Sequence, residues 1–255
     1  MLAVLSPAKK LDFCAAPDVL PHTQPQFQTD TEQLLRKARG LSSQKLQDLM
    51  GISEALGTLN RERFQEIELP VSPQKGKQAA LAFAGDTYVG LDAPSLSADD
   101  LAFAQDHLGI LSGFYGLLRP MDLIQPYRLE MGTRLKTRRG KDLYAFWGDR
   151  IRQRIEAHLA DHERPVLVNL ASQEYFKATR PKDLGLRTVT PSFYEMRPGG
   201  PKMISFLAKK ARGMMARYMI VNRIEDPEAL KGFDVEGYAF DPDGSGADSW
   251  RFVRG

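Results

Sequence analysis

Three stretches of the chain concentrate side chains suited to holding an anion or moving a proton. Ser6-Pro7-Ala8-Lys9 fits Ser-x-x-Lys, in which a lysine activates a serine for acyl transfer. The Ser-Asp-Asn and Lys-Thr-Gly triplets that accompany that chemistry are absent. Lys9 and Lys10 directly follow a short apolar run, so the simpler expectation is an anion contact at the end of a strand. Asn169-Leu170-Ala171-Ser172-Gln173-Glu174-Tyr175-Phe176-Lys177 repeats that placement after a second apolar run. Such a cluster suits a small-molecule pocket or a phosphate at a helix start, or simply a Ser172 N-cap with Tyr175 and Phe176 packed below. The third stretch runs from Lys209 to Arg223. It arranges Lys209, Lys210, Arg212, Arg217 and Arg223 around one basic helix, a pattern able to track a phosphate backbone, while Met214 and Met215 belong to its core side.

Other motifs carry less. His158 and His162 stand four apart, a spacing able to ligate a metal, but no third ligand is evident and a solvated helix end is the simpler reading; no metal is expected. Cys14 has no histidine near it in sequence, and Gly244-Ser245-Gly246 sits in an acidic loop with no helix after it. There is no Walker A motif. Leu111-Ser112-Gly113-Phe114-Tyr115-Gly116-Leu117-Leu118-Arg119-Pro120 pairs two glycines in a turn after a helix. That is the outline of a helix-hairpin-helix, whose turn offers backbone N–H groups to a DNA phosphate. The turn is one residue longer than usual and Pro120 interrupts the second helix; a glycine turn in the core is the competing reading.

Composition bounds these options. The chain has 255 residues, 42% of them hydrophobic and 26% charged, with one cysteine, which fits a globular protein and excludes a disulfide framework. The longest apolar runs fall far short of the ~20 residues of a membrane helix. The first residues lack a basic n-region, so neither a membrane span nor a signal peptide is expected, and a cytoplasmic setting is. Charge is segregated: residues 1–118 carry a net −4, residues 119–223 a net +12 and residues 224–255 a net −5. The middle block predicts an electropositive face unless the two acidic ends neutralise it in space.

The elements that position these residues read as follows. Met1–Leu5 and Val166–Leu170 are buried strands, with further strands at Arg187–Thr190 and Met203–Phe206 and closing strands at Tyr238–Phe240 and Trp250–Val253. Residues 15–28 form a proline-dotted loop. A capping box at Thr29–Glu32 predicts a helix over 31–38. Helices follow at 43–50, 53–59, 98–108 and 207–222, with a short one after Asp226. Gly85–Tyr88 is a turn. Apolar steps of three and four from Leu143 to Leu159 predict one long amphipathic helix over 141–162. With no repeat and no dividing linker, the expectation is an α+β fold: a single compact domain over 1–255, a mixed sheet surrounded by helices.

In combination these motifs resemble one family. The stretches that carry the likeness are Ser6–Lys9, Phe83–Leu91, Leu111–Pro120, Pro126–Gly132, Asn169–Lys177 and Lys209–Gly213. They span the chain in order, and the sequence resembles the YaaA family of bacterial peroxide stress proteins. The resemblance implies a cytoplasmic protein that limits iron-driven damage during hydrogen peroxide stress, an α+β fold with a positively charged cleft, a helix-hairpin-helix-like element over 98–125, and binding to double-stranded or distorted DNA without base specificity. Carried onto this sequence, the nucleic-acid set is Lys9, Lys10, Gly113, Tyr115, Gly116, Arg119, Arg128, Lys177, Lys209, Lys210, Arg212 and Arg217. The alternative is an enzyme acting on a nucleotide or phosphorylated small molecule in the same cleft. Ser6, Lys9, Asn169, Glu174, Tyr175 and Lys177 would then be the catalytic candidates, with Lys209 and Arg212 steadying charge. No cofactor is expected, and a monomer is.

Overall fold

The run Leu2–Leu5 is apolar at every position and is buried at every position, as a strand covered on both faces requires. The computed structural model describes residues 1–14 and 21–255; the loop expected over 15–28 lies partly outside them. Among the described residues the chain order is β1 (Leu2–Leu5), α1 (Gln28–Arg39), α2 (Ser43–Met50), α3 (Glu54–Glu66), β2 (Lys77–Gln78), α4 (Ala79–Ala82), α5 (Asp86–Leu91), α6 (Ala98–His107), β3 (Leu108–Ser112), β4 (Gly116–Leu118) and β5 (Leu123–Ile124). It continues with α7 (Leu143–Trp147), α8 (Arg150–Leu159), β6 (Val166–Leu170), α9 (Gln173–Phe176), β7 (Arg187–Arg197), β8 (Gly200–Lys202), α10 (Ser205–Val221), β9 (Ala239–Asp241) and β10 (Ser249–Arg254).

The main sheet has the order β4-β3-β1-β6-β7-β10-β9, with β8 paired to β7. Its five inner strands β3, β1, β6, β7 and β10 are parallel, while β4, β8 and β9 run antiparallel. The mixed sheet with flanking helices is the architecture expected; its parallel centre makes it an α/β domain. β1 is the pivot. The chain leaves it to build β3 on one side and later returns to build β6 on the other, so the sheet switches direction beside β1. The carboxyl ends of strands flanking such a switch are where open α/β sheets hold ligands.

Several elements differ from the sequence reading. Helix α1 starts earlier, at Gln28 behind Phe27, and has no side-chain cap; Asp30 instead pairs with Arg139. The expected long helix is two. Gly148, at φ +51°, interrupts it, α8 ends at Leu159, and His162 lies beyond. The apolar periodicity persists across the break because both helices bury their apolar faces in the same core. Gly85 is the N-cap of α5, which takes up Asp86 to Tyr88, and the segment around Met203 leads into α10 rather than forming a strand. By contrast, Ser97 and Asp100 form a full capping box on α6, and β9 and β10 pair as expected.

Candidate functional site

Strands β1 and β6 end side by side, with Leu5 opposite Leu170. The Ser6 hydroxyl joins the two ends: its Oγ accepts from the Ser172 amide (2.9 Å) and donates to Ser172 Oγ (3.2 Å), while the Ser6 carbonyl accepts from the Tyr88 hydroxyl (3.0 Å). Lys9 points its Nζ at Glu130 (3.1 Å). Ser6 is therefore a bracket rather than an activated nucleophile, and the Ser-x-x-Lys reading is set aside on that geometry.

Above these strand ends lies a cleft of about 490 Å³. The loop after β1 (Ser6 to Lys10), the start of α5 (Asp86 to Tyr88) and the segment Tyr127–Glu130 form much of its wall, which Glu174, Tyr175, Lys209 and Arg212 complete. Two glycines bring α5 and α10 close enough to shape it. A Cβ added at Gly213 would lie 1.8 Å from the Thr87 carbonyl oxygen, and one at Gly90 2.1 Å from that of Lys210. The helices thus touch backbone to backbone, which only glycine permits.

The electrostatics single out Arg212. It lines the cleft half-buried, and among the described residues it has no ion pair and no hydrogen bond. Burial alone lowers its pKa from the usual guanidinium value. A desolvated, unsatisfied cation is costly unless an anion completes it. Lys10 and Lys209 are exposed on the same cleft and are likewise without carboxylate partners among the described residues. Arg128 shares Glu130 with Lys9 (3.1 Å). Three phenols line the cleft as well. Burial raises the pKa values of Tyr88, Tyr127 and Tyr175, so they remain protonated donors near neutral pH.

Of the sequence candidates, Ser6, Lys9, Lys10, Arg128, Glu174, Tyr175, Lys209 and Arg212 meet here. Others do not. Asn169 is absorbed by its own turn, accepting from the Ala171 amide (3.0 Å). Lys177 sits over the Tyr144 ring at 4.7 Å. Lys210 pairs with Glu236, and Arg217 donates to the carbonyls of Leu91 (3.2 Å) and Asp92 (2.9 Å), which fastens the end of α5 to α10. Arg119 is bound to the buried carboxylate of Asp122 (2.9 Å).

The helix-hairpin-helix reading is corrected outright. Only α6 is helical; Leu108 enters the sheet beside β1, and Gly113–Tyr115 is the tight turn between antiparallel β3 and β4. Gly113, Tyr115 and Gly116 are buried. The amides such a motif would offer a phosphate are already bound: Ser112 Oγ accepts from Phe114 N (3.2 Å) and Tyr115 N (2.9 Å) and meets the Tyr127 hydroxyl at 2.7 Å. The turn's role is to seat Leu129 and Glu130, since a Cβ at Gly113 would come within 2.3 Å of the Leu129 carbonyl. Ser112→Ala leaves these buried partners unsatisfied and is expected to cost about 2–3 kcal/mol in urea denaturation.

Sequence reading missed two groups. Asp86 and Glu130 add carboxylates to the cleft wall. Beyond Glu130 the chain alternates buried Met131, Thr133 and Leu135 with exposed Arg134, Lys136 and Arg138, and Lys141 follows. None of those four cations has a carboxylate partner among the described residues. The period-two alternation was the available signal. Elsewhere the positive middle block is dispersed into ion pairs: Arg150 with Asp30, Arg152 with Asp149 and Glu156, Arg180 with Asp149 and Asp183, Arg187 with Glu228 and Asp248, Arg223 with Asp100. Among the described residues, unpaired cations thus remain at the cleft and along the stretch leading from it, and singly elsewhere at Lys182, Arg197 and Lys202.

These features define a class: an α/β domain that gathers free cations at the carboxyl ends of its central parallel strands. A family model described as peroxide stress protein YaaA matches residues 1–244. A UPF0246 protein of Burkholderia mallei (strain SAVP1) is 54% identical over 256 residues, covering all of this chain and 98% of the relative. A UPF0246 protein of Dechloromonas aromatica (strain RCB) is 51% identical over 254 residues, covering all of this chain and 99% of the relative. The chain belongs to the YaaA family of peroxide stress proteins, which is consistent with a role in the oxidative stress response. No helix among the described residues is long and apolar enough to cross a membrane.

Proposed function

We propose that the chain acts in the oxidative stress response by gripping the sugar-phosphate backbone of DNA at this cleft, without reading bases. The observation that carries the reading is Arg212, a half-buried guanidinium with no protein partner among the described residues, in a cleft it shares with free Lys10 and Lys209. A phosphate completes that guanidinium, and the lysines together with Arg134, Lys136 and Arg138 follow the strand. A distorted duplex, whose backbone bends into a concave site, fits the cleft better than a straight one. Limiting iron-driven damage then acts at the DNA: each neutralised phosphate releases the cations condensed on it, ferrous ions included.

The second reading, an enzyme on a free nucleotide or phosphorylated small molecule, draws support from Asp86, Glu130 and Glu174, carboxylates that a purely backbone-binding groove does not need. Fluorescence anisotropy separates the two. With about five phosphates contacted, affinity for duplex and bulged DNA is expected to fall about 500-fold between 50 and 200 mM salt, and charge reversal at Lys209 to weaken every sequence alike. Tight mononucleotide binding combined with salt-insensitive, weak DNA binding would select the second reading.

A further inference from the structure

Three of the four histidines meet on the opposite side of β1 from the strand ends that form the cleft, beside Met1. His158 is on α8, His162 just beyond it, and His107 ends α6. The Asp106 carboxylate stands among them: its Oδ1 is 3.6 Å from His158 Nε2, and its Oδ2 is 3.7 Å from His162 Nε2 and 3.9 Å from His107 Nε2. Those separations are too long for hydrogen bonds. They are close to the roughly 3.3 Å that separates two donors of one tetrahedral ion bound at ~2.0–2.1 Å. The rings of His162 and His107 are also braced from behind. His162 Nδ1 accepts from the Met1 α-ammonium (2.9 Å), and His107 Nδ1 donates to the Met1 carbonyl (2.8 Å). Both contacts fix the ring orientations; at His162 the α-ammonium must give up its proton, or the contact break, for Nδ1 to carry the ring proton while Nε2 ligates. The hollow also presents Asp161, Glu163 and Glu225, with Asp106, against Arg154 and the Met1 α-ammonium, so carboxylates outnumber cations there.

We propose that Asp106, His158 and His162 form a binding site for one divalent first-row transition-metal ion. Their donor atoms already lie within 4.8 Å of one another. His158 Nε2 donates to the Asp106 carbonyl at 2.6 Å; binding an ion breaks that hydrogen bond, the ring turning toward the Asp106 carboxylate and carrying its proton on Nδ1, by exchange with solvent, so that Nε2 offers its lone pair. Two imidazoles and one carboxylate leave coordination positions to water, so the ion is exchangeable rather than a structural staple. The spacing of His158 and His162 was visible in the sequence; the third ligand was not, because it comes from α6, 52 residues earlier.

The test is titration of the tag-free full chain with Zn2+ alone by calorimetry, and with Co2+ alone by visible absorption. One equivalent is expected, with micromolar or tighter affinity and a cobalt spectrum of nitrogen and oxygen ligation. Asp106→Ala and His158→Ala, both at positions outside the core, are each expected to weaken binding at least ~10-fold. His22→Ala is expected to leave it unchanged, with circular dichroism melts showing each variant folded. Absence of uptake by the wild-type chain, or uptake that survives both Asp106→Ala and His158→Ala, overturns the proposal.

Discussion

Arg212→Met is expected to lower affinity for duplex or bulged DNA about 100-fold while leaving the fold as stable as before or more so. The two effects diverge for one reason. In the folded chain the guanidinium is desolvated and meets no carboxylate, so its charge opposes folding, as its lowered pKa indicates. Methionine keeps the apolar stem that packs in the wall and removes the uncompensated charge. Binding loses a charge-assisted contact made in a partly dry site, about 2–3 kcal/mol, which corresponds to that fold-change. Urea denaturation beside anisotropy titration separates the two quantities. A variant that binds normally, or one that loses binding only because it unfolds, contradicts the role assigned to Arg212.

Gly213→Ala is expected to be the most damaging single-methyl change in the molecule. The added Cβ would sit 1.8 Å from the Thr87 carbonyl oxygen and 2.7 Å from the Leu91 amide, both backbone atoms that cannot rotate aside. Relief requires α5 and α10 to separate, at an expected cost of about 3 kcal/mol or more in urea denaturation. That separation also pulls Asp86 and Thr87 away from Lys209 and Arg212, so ligand affinity falls with stability. Gly232→Ala, whose nearest neighbour is a side-chain hydroxyl, Tyr218 Oη at 3.3 Å, rather than backbone, is the control and is expected to be mild. Equal stability of the two variants would mean that the close crossing does not shape the cleft.

What the sequence disclosed and what it withheld follow from the range of the interactions. The buried strands β1 and β6, the helix α2, the start of α6 after Ser97 and the short turn after Asp226 depend on neighbouring residues, and each was legible; α3 runs past the expected 59 to Glu66. Gly113 and Gly116 were legible as a turn but not as which turn. The same glycine spacing serves a helical hairpin and a β-hairpin, and the choice was made by β1, more than a hundred residues earlier, which takes β3 as its neighbour. On α10, Met214 and Met215 are buried as expected.

The site divides along the same line. Ser6, Lys9, Glu174 and Tyr175 were found because they follow strands whose ends adjoin in the sheet. The loss of Lys210 to Glu236 and of Arg217 to the carbonyls of Leu91 and Asp92 was invisible, since those partners are 26, 126 and 125 residues away. Charge counting along the chain therefore could not tell which cations keep their charge uncompensated. Pairing of Arg150, Arg152, Arg180, Arg187 and Arg223 with distant or local carboxylates removes much of the expected face; among the described residues, Lys10, Lys209 and Arg212 stay unpaired at the cleft, while Lys182, Arg197 and Lys202 stay unpaired elsewhere on the surface.

Hydrogen exchange of the whole chain, followed by mass spectrometry with and without a bulged DNA duplex at low salt, tests the central claim most directly. Slower exchange is expected in the loop after Ser6, at the start of α5, across 128–138 and in the first turns of α10, with no change in α2 and α3. Protection that falls instead on α1 to α3, or none at the cleft while the duplex is bound, would contradict the assignment of this cleft as the phosphate-binding site.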